Sequence, residues 1–208
     1  MLQENAVQPA ALALLKKLVA LEDISSFALG GGTNLALRYG HRMSDDLDFF
    51  TNEKFDKPQL FQVITKTFPS AELLFEQNQT MLFVIDEIRA DFVLYPFQWF
   101  LPFEETGGTR LISIKDIIPM KLQAVSNRNS KKDYWDIAML LGQYPLREMI
   151  LLFKEKFPQV DEGYIIHSLT DFEEAEDQFD PDSLNNRTWT DVKRILSEAV
   201  SRLTEDSL

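Results

Sequence analysis

FALGGGTNLALRYGHRMSDDLDFF, residues 27–50, decides how the rest of this 208-residue chain is read. A short apolar run enters three glycines, Gly30, Gly31 and Gly32, and Thr33 then opens a helix-like run to Tyr39. A strand, tight turn and helix in that order let backbone N–H groups approach an anion closely, and the positive end of the helix favours negative charge. Asp46, Leu47, Asp48 and Phe49 follow on a second apolar strand. Side chains alternate along a strand, so Asp46 and Asp48 project from one face while Leu47 and Phe49 project from the other. Two carboxylates about 7 Å apart on a strand rim suit Mg²⁺, a hard ion that takes oxygen ligands and bridges to substrate phosphates.

These residues resemble a known pattern. Gly31, Gly32 and Thr33 followed by Asp46-x-Asp48 resemble the first motif of the nucleotidyltransferase-fold superfamily, and GGTNLALRYGHRMSDDLDFF is similar to the AbiEii/AbiGii-type toxin nucleotidyltransferases. Thr33 stands where many superfamily members carry serine, a mild departure because both supply a hydroxyl.

Composition fits a soluble protein with room for one domain, or a core with a helical annex. Apolar residues make up 45% and charged residues 26%. No apolar run reaches spanning length and the first residues do not resemble a signal peptide, so a cytoplasmic location without membrane contact is expected. The absence of cysteine excludes disulfides, thiolate catalysis and cysteine-ligated metals, and His41 and His167 are too few for a histidine-rich metal site. A formal net charge of −12 argues against a surface that grips nucleic acid everywhere, while leaving room for a local basic patch.

Outward from the glycines, the spacing predicts a helix over 9–21 and a first strand over 24–29. Arg38 and Arg42 lie between the glycine-led helix and the aspartates, placed to brace the carboxylates or to meet a triphosphate. A helix over 55–68 has Phe61, Ile64 and Phe68 facing inward. Alternating stretches at 72–77 and 80–86 form a hairpin, and a third strand runs over 88–95. Asp91 sits within that last strand, where a buried carboxylate is costly unless paired. It is either the ion-pair partner of Arg89 or a neighbour, or a third carboxylate that completes a metal site with Asp46 and Asp48 and takes a proton from an attacking hydroxyl. RADFVLYP resembles the superfamily strand that carries the third acid, which favours the second reading. The aromatic run at 96–103 is read as packing rather than a base pocket, and 104–109 as a mobile loop.

Asp116 is expected to cap a helix with Pro119 in its first turn. Ile117, Ile118, Leu122 and Val125 then form a stripe with Lys121 in its middle, so Lys121 either snorkels to solvent or points into a cleft. Ser130 and Asp133 make a capping box, and Lys132 and Asp136 are spaced for a surface pair. KLQAVSNRNSKKDYWDIAMLL resembles the second block of the AbiEii-type proteins, which implies that Lys121 contacts nucleotide phosphates, with Lys132, Asp133 and Asp136 close to the same cleft. Beyond residue 145 the pattern is helical. Residues 155–182 hold ten acids and one lysine, read as a solvated face.

The expected fold is mixed α/β (α+β), a nucleotidyltransferase fold with a small twisted sheet flanked by helices. Residues 1–110 would form the core with the carboxylate site, and 111–208 a helical C-terminal part closing the cleft. The resemblance implies Mg²⁺-dependent transfer of a nucleoside monophosphate from a nucleoside triphosphate to a hydroxyl. In that reading Asp46, Asp48 and Asp91 hold the metal, Gly31, Gly32, Thr33 and Arg42 meet phosphates, and Lys121 and Asp136 act beside them. It further implies a toxin with a companion antitoxin. The resemblance also favours an RNA end as acceptor, which would dock on Arg110 to Lys132, where six basic residues stand against the single acid Asp116. Otherwise this cluster serves the triphosphate and the fold, and the acceptor is a protein or small hydroxyl compound. The alternatives are a glycosyltransferase that uses Asp-x-Asp for a nucleotide-sugar, and a non-catalytic relative that binds nucleotide or a partner.

Overall fold

The structure, a computed structural model, describes residues 1–205. The chain divides into two compact units, Met1–Ser113 and a second that begins at Ile114.

The first unit is built on a seven-stranded mixed sheet ordered β3-β4-β5-β2-β1-β7-β6. Its strands are β1 (Ala28–Leu29), β2 (Leu47–Thr51), β3 (Glu72–Gln77), β4 (Thr80–Ile85), β5 (Ile88–Leu94), β6 (Glu104–Thr106) and β7 (Thr109–Leu111). Helices α1 (Pro9–Val19), α2 (Gly31–Tyr39) and α3 (Lys57–Thr67) complete it. Pro9 opens α1, where a missing N–H does no harm. Asp56 caps α3 by accepting from the Gln59 N–H at 2.9 Å. Leu14, Leu15 and Leu18 of α1 and Leu60 and Ile64 of α3 join Leu47, Phe49, Phe83 and Phe92 of the sheet in one buried cluster. Its rings interlock, with Phe49 stacked on Phe92 at 5.3 Å and Phe27 edge-on to Phe92 at 5.4 Å.

Several local expectations change. The strand expected over 24–29 shrinks to Ala28–Leu29, because Glu22–Ile24 is a 3₁₀ turn that turns Ile24 into the core. Phe61 does not face inward and is 42% exposed, while Ile64 and Phe68 are buried. The expected mobile loop at 104–109 is the β6–β7 hairpin, turned by Gly107 and Gly108 at positive φ. Arg38 is held away from the carboxylates. It donates to Asn34 Oδ1 at 2.8 Å, to Glu104 at 2.8 Å and to the Ile112 carbonyl at 3.2 Å, tying α2 to the sheet edge. The aromatics beyond β5 pack on one another, as expected, with Tyr95 stacked on Trp99 at 5.0 Å.

The second unit is helical: α4 (Ile114–Arg128), α5 (Lys131–Leu140), α6 (Leu146–Lys156), α7 (Glu162–Ser168), α8 (Glu173–Glu176) and α9 (Trp189–Glu205). α4 starts before Asp116, so Pro119 lies inside the helix and Asp116 is no cap. Asp116 is fully buried and accepts from Lys156 Nζ at 2.8 Å, which neutralises it. The acidic stretch is more than a solvated face. The carbonyls of Glu176 and Gln178 and the carboxylate of Asp180 accept from the buried Lys131 ammonium at 3.1, 2.6 and 2.9 Å.

Candidate active site

The carboxylates of the first unit are placed by sheet register. β2 and β5 run parallel and adjacent, with Leu47 opposite Ala90, Asp48 opposite Asp91 and Phe49 opposite Phe92. Leu47, Phe49, Ala90 and Phe92 are buried on the core face. Strand alternation therefore sends Asp48 and Asp91 to the other face, side by side, while Asp46, expected on the same strand, lies one residue before it begins. Asp46 and Asp48 are half-buried, while Asp91 is 7% exposed.

The turn before α2 is built tightly against this rim. The Gly30 N–H donates to the Asp48 carbonyl at 2.8 Å. A side chain at Gly30 would meet the Phe50 ring at 2.7 Å, and one at Gly31 would meet Asp48 Oδ2 at 2.1 Å. Gly31 also holds φ at +60°, a backbone state that glycine alone adopts without strain. Gly31 and Gly32 thus form the first turn of α2 directly at the Asp48 carboxylate. The Thr33 hydroxyl is buried, bonded to the Asp46 carbonyl and 2.8 Å from the Ser44 hydroxyl, so it fixes the approach to Asp46. Arg42 is 2% exposed and donates to the Met43 carbonyl at 2.9 Å.

Asp91 meets Arg89 in a forked pair, with Nε 3.0 Å from both carboxylate oxygens and Nη2 2.7 Å from Oδ2. The Arg89 side chain is 51% exposed. Hydrogen bonding to Asp91 raises its pKa against the pull of burial, and the charges of Asp91, Asp46 and Asp48 add to the rise. One guanidinium therefore lies in the field of all three predicted carboxylates. Asp91 thus pairs with Arg89 and stands beside Asp48 in the sheet register. Among the described residues no three His, Cys, Asp or Glu side chains converge closely enough to enclose an ion by themselves.

The second unit carries its own charged cluster. Lys121, 5% exposed, is 2.9 Å from Asp133 Oδ1 and 2.6 Å from Asp136 Oδ2, and both carboxylates are fully buried. Arg128 grips the same Asp133 through Nε at 2.6 Å and Nη2 at 2.8 Å, with its side chain 62% exposed. Burial pushes the Asp133 carboxyl up, but the ammonium of Lys121 and the guanidinium of Arg128 outweigh it and hold the group below the usual range. Ser130 makes no side-chain cap, so the expected capping box gives way to this ion-pair network. Asp136 is an interior residue, and Lys132 is exposed in the first turn of α5.

Sequence reasoning did not single out Asn34. Its amide donates to the carbonyls of Leu29 and Ile112 at 2.8 and 2.9 Å, holding α2 to β1 and the strand beside it. An amide flanked by Thr33 and Leu35 in a buried first turn was the available signal. The Asp116–Lys156 pair had none, since 40 residues separate its partners.

The family profile described as "Nucleotidyl transferase AbiEii toxin, Type IV TA system" matches residues 13–105. The uncharacterized protein aq_aa25 of Aquifex aeolicus is 33% identical over 198 residues, covering 92% of this chain and 95% of that protein. Among solved structures, JHP933 from Helicobacter pylori aligns over 97% of this chain and 96% of its own, with TM-score 0.54 and 17% identity. MenT4, nucleotidyltransferase toxin Rv2826c from Mycobacterium tuberculosis, aligns over 95% and 86%, with TM-score 0.57 and 13% identity. With the glycine turn seated on a rim of paired aspartates in a fold of this kind, the chain belongs to the AbiEii nucleotidyl transferase toxin family.

Proposed function

We propose that the chain moves a nucleoside monophosphate from a nucleoside triphosphate to a hydroxyl at the rim formed by Asp46, Asp48 and Asp91. The register that sets Asp48 beside Asp91, with Gly31 pressed against Asp48, carries this reading. The donor set fits Mg²⁺, which takes one or two carboxylates and completes its shell with water and phosphate oxygens, so a closed protein cage is not required. Asp46 and Asp48 would hold it, with Asp91 alongside, and when bound it would neutralise charge developing on the triphosphate. The first-turn N–H groups of α2 at Gly31 and Gly32 would receive phosphate oxygens. Thr33 and Arg42 act from beneath, by fixing the backbone that carries Asp46. The acceptor oxygen attacks the α-phosphorus, the bond to the bridging oxygen breaks, and pyrophosphate leaves. The hydroxyl proton passes to Asp91, which Arg89 must first release. Arg89 is therefore a counter-ion that holds the third carboxylate until substrate arrives.

An RNA end is the acceptor in this reading. The segment 110–132 offers fewer cations than its composition implies: Arg110 donates to the Phe27 and Ile24 carbonyls, and Lys121 and Lys131 are buried in pairs. Lys115, Arg128 and Lys132 remain exposed for phosphate contact. Arg128, fixed in orientation by Asp133, is the first of these, and Lys121 and Asp136 support it through Asp133. A companion antitoxin and a cytoplasmic location, where triphosphates are abundant, complete the proposal. Among the described residues no helix is long and apolar enough to cross a membrane. Family membership sets aside the nucleotide-sugar glycosyltransferase.

The test is incubation with each α-labelled nucleoside triphosphate, Mg²⁺ and total RNA. Label should enter RNA with the wild type and disappear with a chelator or with Asp48→Asn. Label entering no RNA would discard that acceptor, and equal turnover by Asp48→Asn would discard the site.

A further inference from the structure

The second unit contains a cavity of about 420 Å³ where the end of α5, the start of α6 and α9 meet. Ala138, Leu146, Ile195 and Ala199 supply its apolar wall, and Arg147, Arg187 and Arg202 line the rest with a single carboxylate, Glu198. Glu198 is already shared, 3.0 Å from Arg194 and 3.5 Å from Arg202. Arg187 is the informative residue. Its Nη1 is covered by protein and meets no acceptor among the described residues. The carboxylate whose charge reaches it, Asp191, accepts from the Thr188 N–H at 3.0 Å and the Thr188 hydroxyl at 2.7 Å. Burial lowers the Arg187 pKa, and the neighbouring charge of Arg194 lowers it further, against the charge of Asp191. Arg187 as a whole is half-buried and lines the cavity, so an anion there would supply an acceptor that the described residues do not. The rest of the molecule is strongly acidic, so three arginines around one apolar hollow are a local reversal of its charge.

We propose that this cavity binds a small organic anion, one carboxylate or phosphate-monoester head at Arg187 with a compact apolar tail against Ala138, Leu146, Ile195 and Ala199. Arginine matches either head through paired N–H donors. The volume lies within the range of small-ligand pockets, and the apolar concave walls are unlike the open basic surface that grips a nucleic-acid backbone. The inference stands apart from the transfer reaction, because every residue it uses lies in the second unit and none is assigned there to catalysis.

The full-length protein would be titrated with octanoate, octyl phosphate, octanol and inorganic phosphate, by calorimetry and by the methyl resonances of Ala138, Ile195 and Ala199. One or both organic anions should bind saturably and move those methyls, with octanol and inorganic phosphate each at least tenfold weaker. Which head binds more tightly identifies the source chemistry. Arg187→Leu should weaken the anions at least tenfold and leave octanol unchanged. Ala199→Trp, which fills the hollow from a half-buried position on α9, should abolish binding of all tailed probes, and it serves if Arg187→Leu fails to fold. Equal binding of octanol and octanoate, equal binding of inorganic phosphate, or no saturable shift at those methyls would each overturn the proposal.

Discussion

Two charged clusters, one in each unit, use the same residue types for opposite ends. In the second unit Asp133 and Asp136 are buried and answered by Lys121 and Arg128, so the charges are matched at 2.6 to 2.9 Å and closed inside the fold. In the first unit the field of Asp46, Asp48 and Asp91 falls on the half-exposed Arg89, at a rim where a helix begins. Matched buried charge stabilises a fold only as long as no member is lost, because each then leaves an uncompensated partner in low dielectric. Carboxylates gathered at one rim repel one another, and a cation that binds among them would relieve that repulsion. The comparison separates a buried, matched charge cluster from one gathered at the strand rim where transfer is proposed.

The sharpest way to break this contrast is to remove one charge from each cluster. Asp48→Asn should lower transfer by a thousandfold or more, about 4 kcal/mol of transition-state stabilisation, with the melting temperature unchanged or raised. Labelled-triphosphate turnover and calorimetry on one sample decide it. Lys121→Met should act in the opposite sense and destabilise the fold by about 3 to 5 kcal/mol in urea titration, because it strands Asp133 and Asp136. The triple variant Lys121→Met/Asp133→Asn/Asp136→Asn should recover part of that loss, and a tolerant Lys121→Met would erase the distinction.

Smaller effects sharpen it. Gly31→Ala places a methyl carbon 2.1 Å from Asp48 Oδ2 in a left-handed backbone, so it should cost roughly 1 to 2 kcal/mol in stability and reduce transfer beyond that loss. Arg89→Gln should tighten Mg²⁺ binding about tenfold in calorimetry by removing the competing cation, about 1.4 kcal/mol. Weaker metal binding in that variant would show that Arg89 supports the site instead of occupying it. The smallest effect is in acid. Asp133 has a folded pKa below its unfolded value, so its stabilising contribution is complete above the ordinary aspartate range and is lost as pH falls through the lower folded value. Asp133→Asn should flatten the stability curve below about pH 4, the ordinary aspartate pKa.

Legibility in the sequence followed the same division. The shared face of Asp48 and Asp91 was readable because strand alternation has a period of two, and Gly31 because a positive φ has a residue type that favours it. Arg42 and Thr33 were readable as neighbours of the site, but burial turned both inward, and no periodicity announces which way a single side chain in a turn will face. Lys121 on an apolar stripe left snorkelling and a cleft open. The structure chose a third state, burial between two acids contributed by the next helix. Lys131 looked like part of a basic patch, yet its acceptors are mostly carbonyls in the acidic segment, and carbonyls leave no trace in a sequence. The 3₁₀ turn before β1 and the β6–β7 hairpin were missed because three-residue elements are too short to show a period.

The parallel pairing of β2 with β5 also governs which changes in chain length the protein can absorb. Asp48 and Asp91 face the rim because Phe49 and Phe92 face the core, and one residue added or removed within β5 before Asp91 would exchange the two sets. Natural relatives should therefore vary in length at the Gly107-Gly108 turn or around Asn78 and Gln79, outside the paired segment. Between Ile88 and Asp91 the spacing should be invariant, even where the residues themselves drift. Indel tolerance along the chain would then mark the rim of Asp48 and Asp91 as sharply as residue identity does.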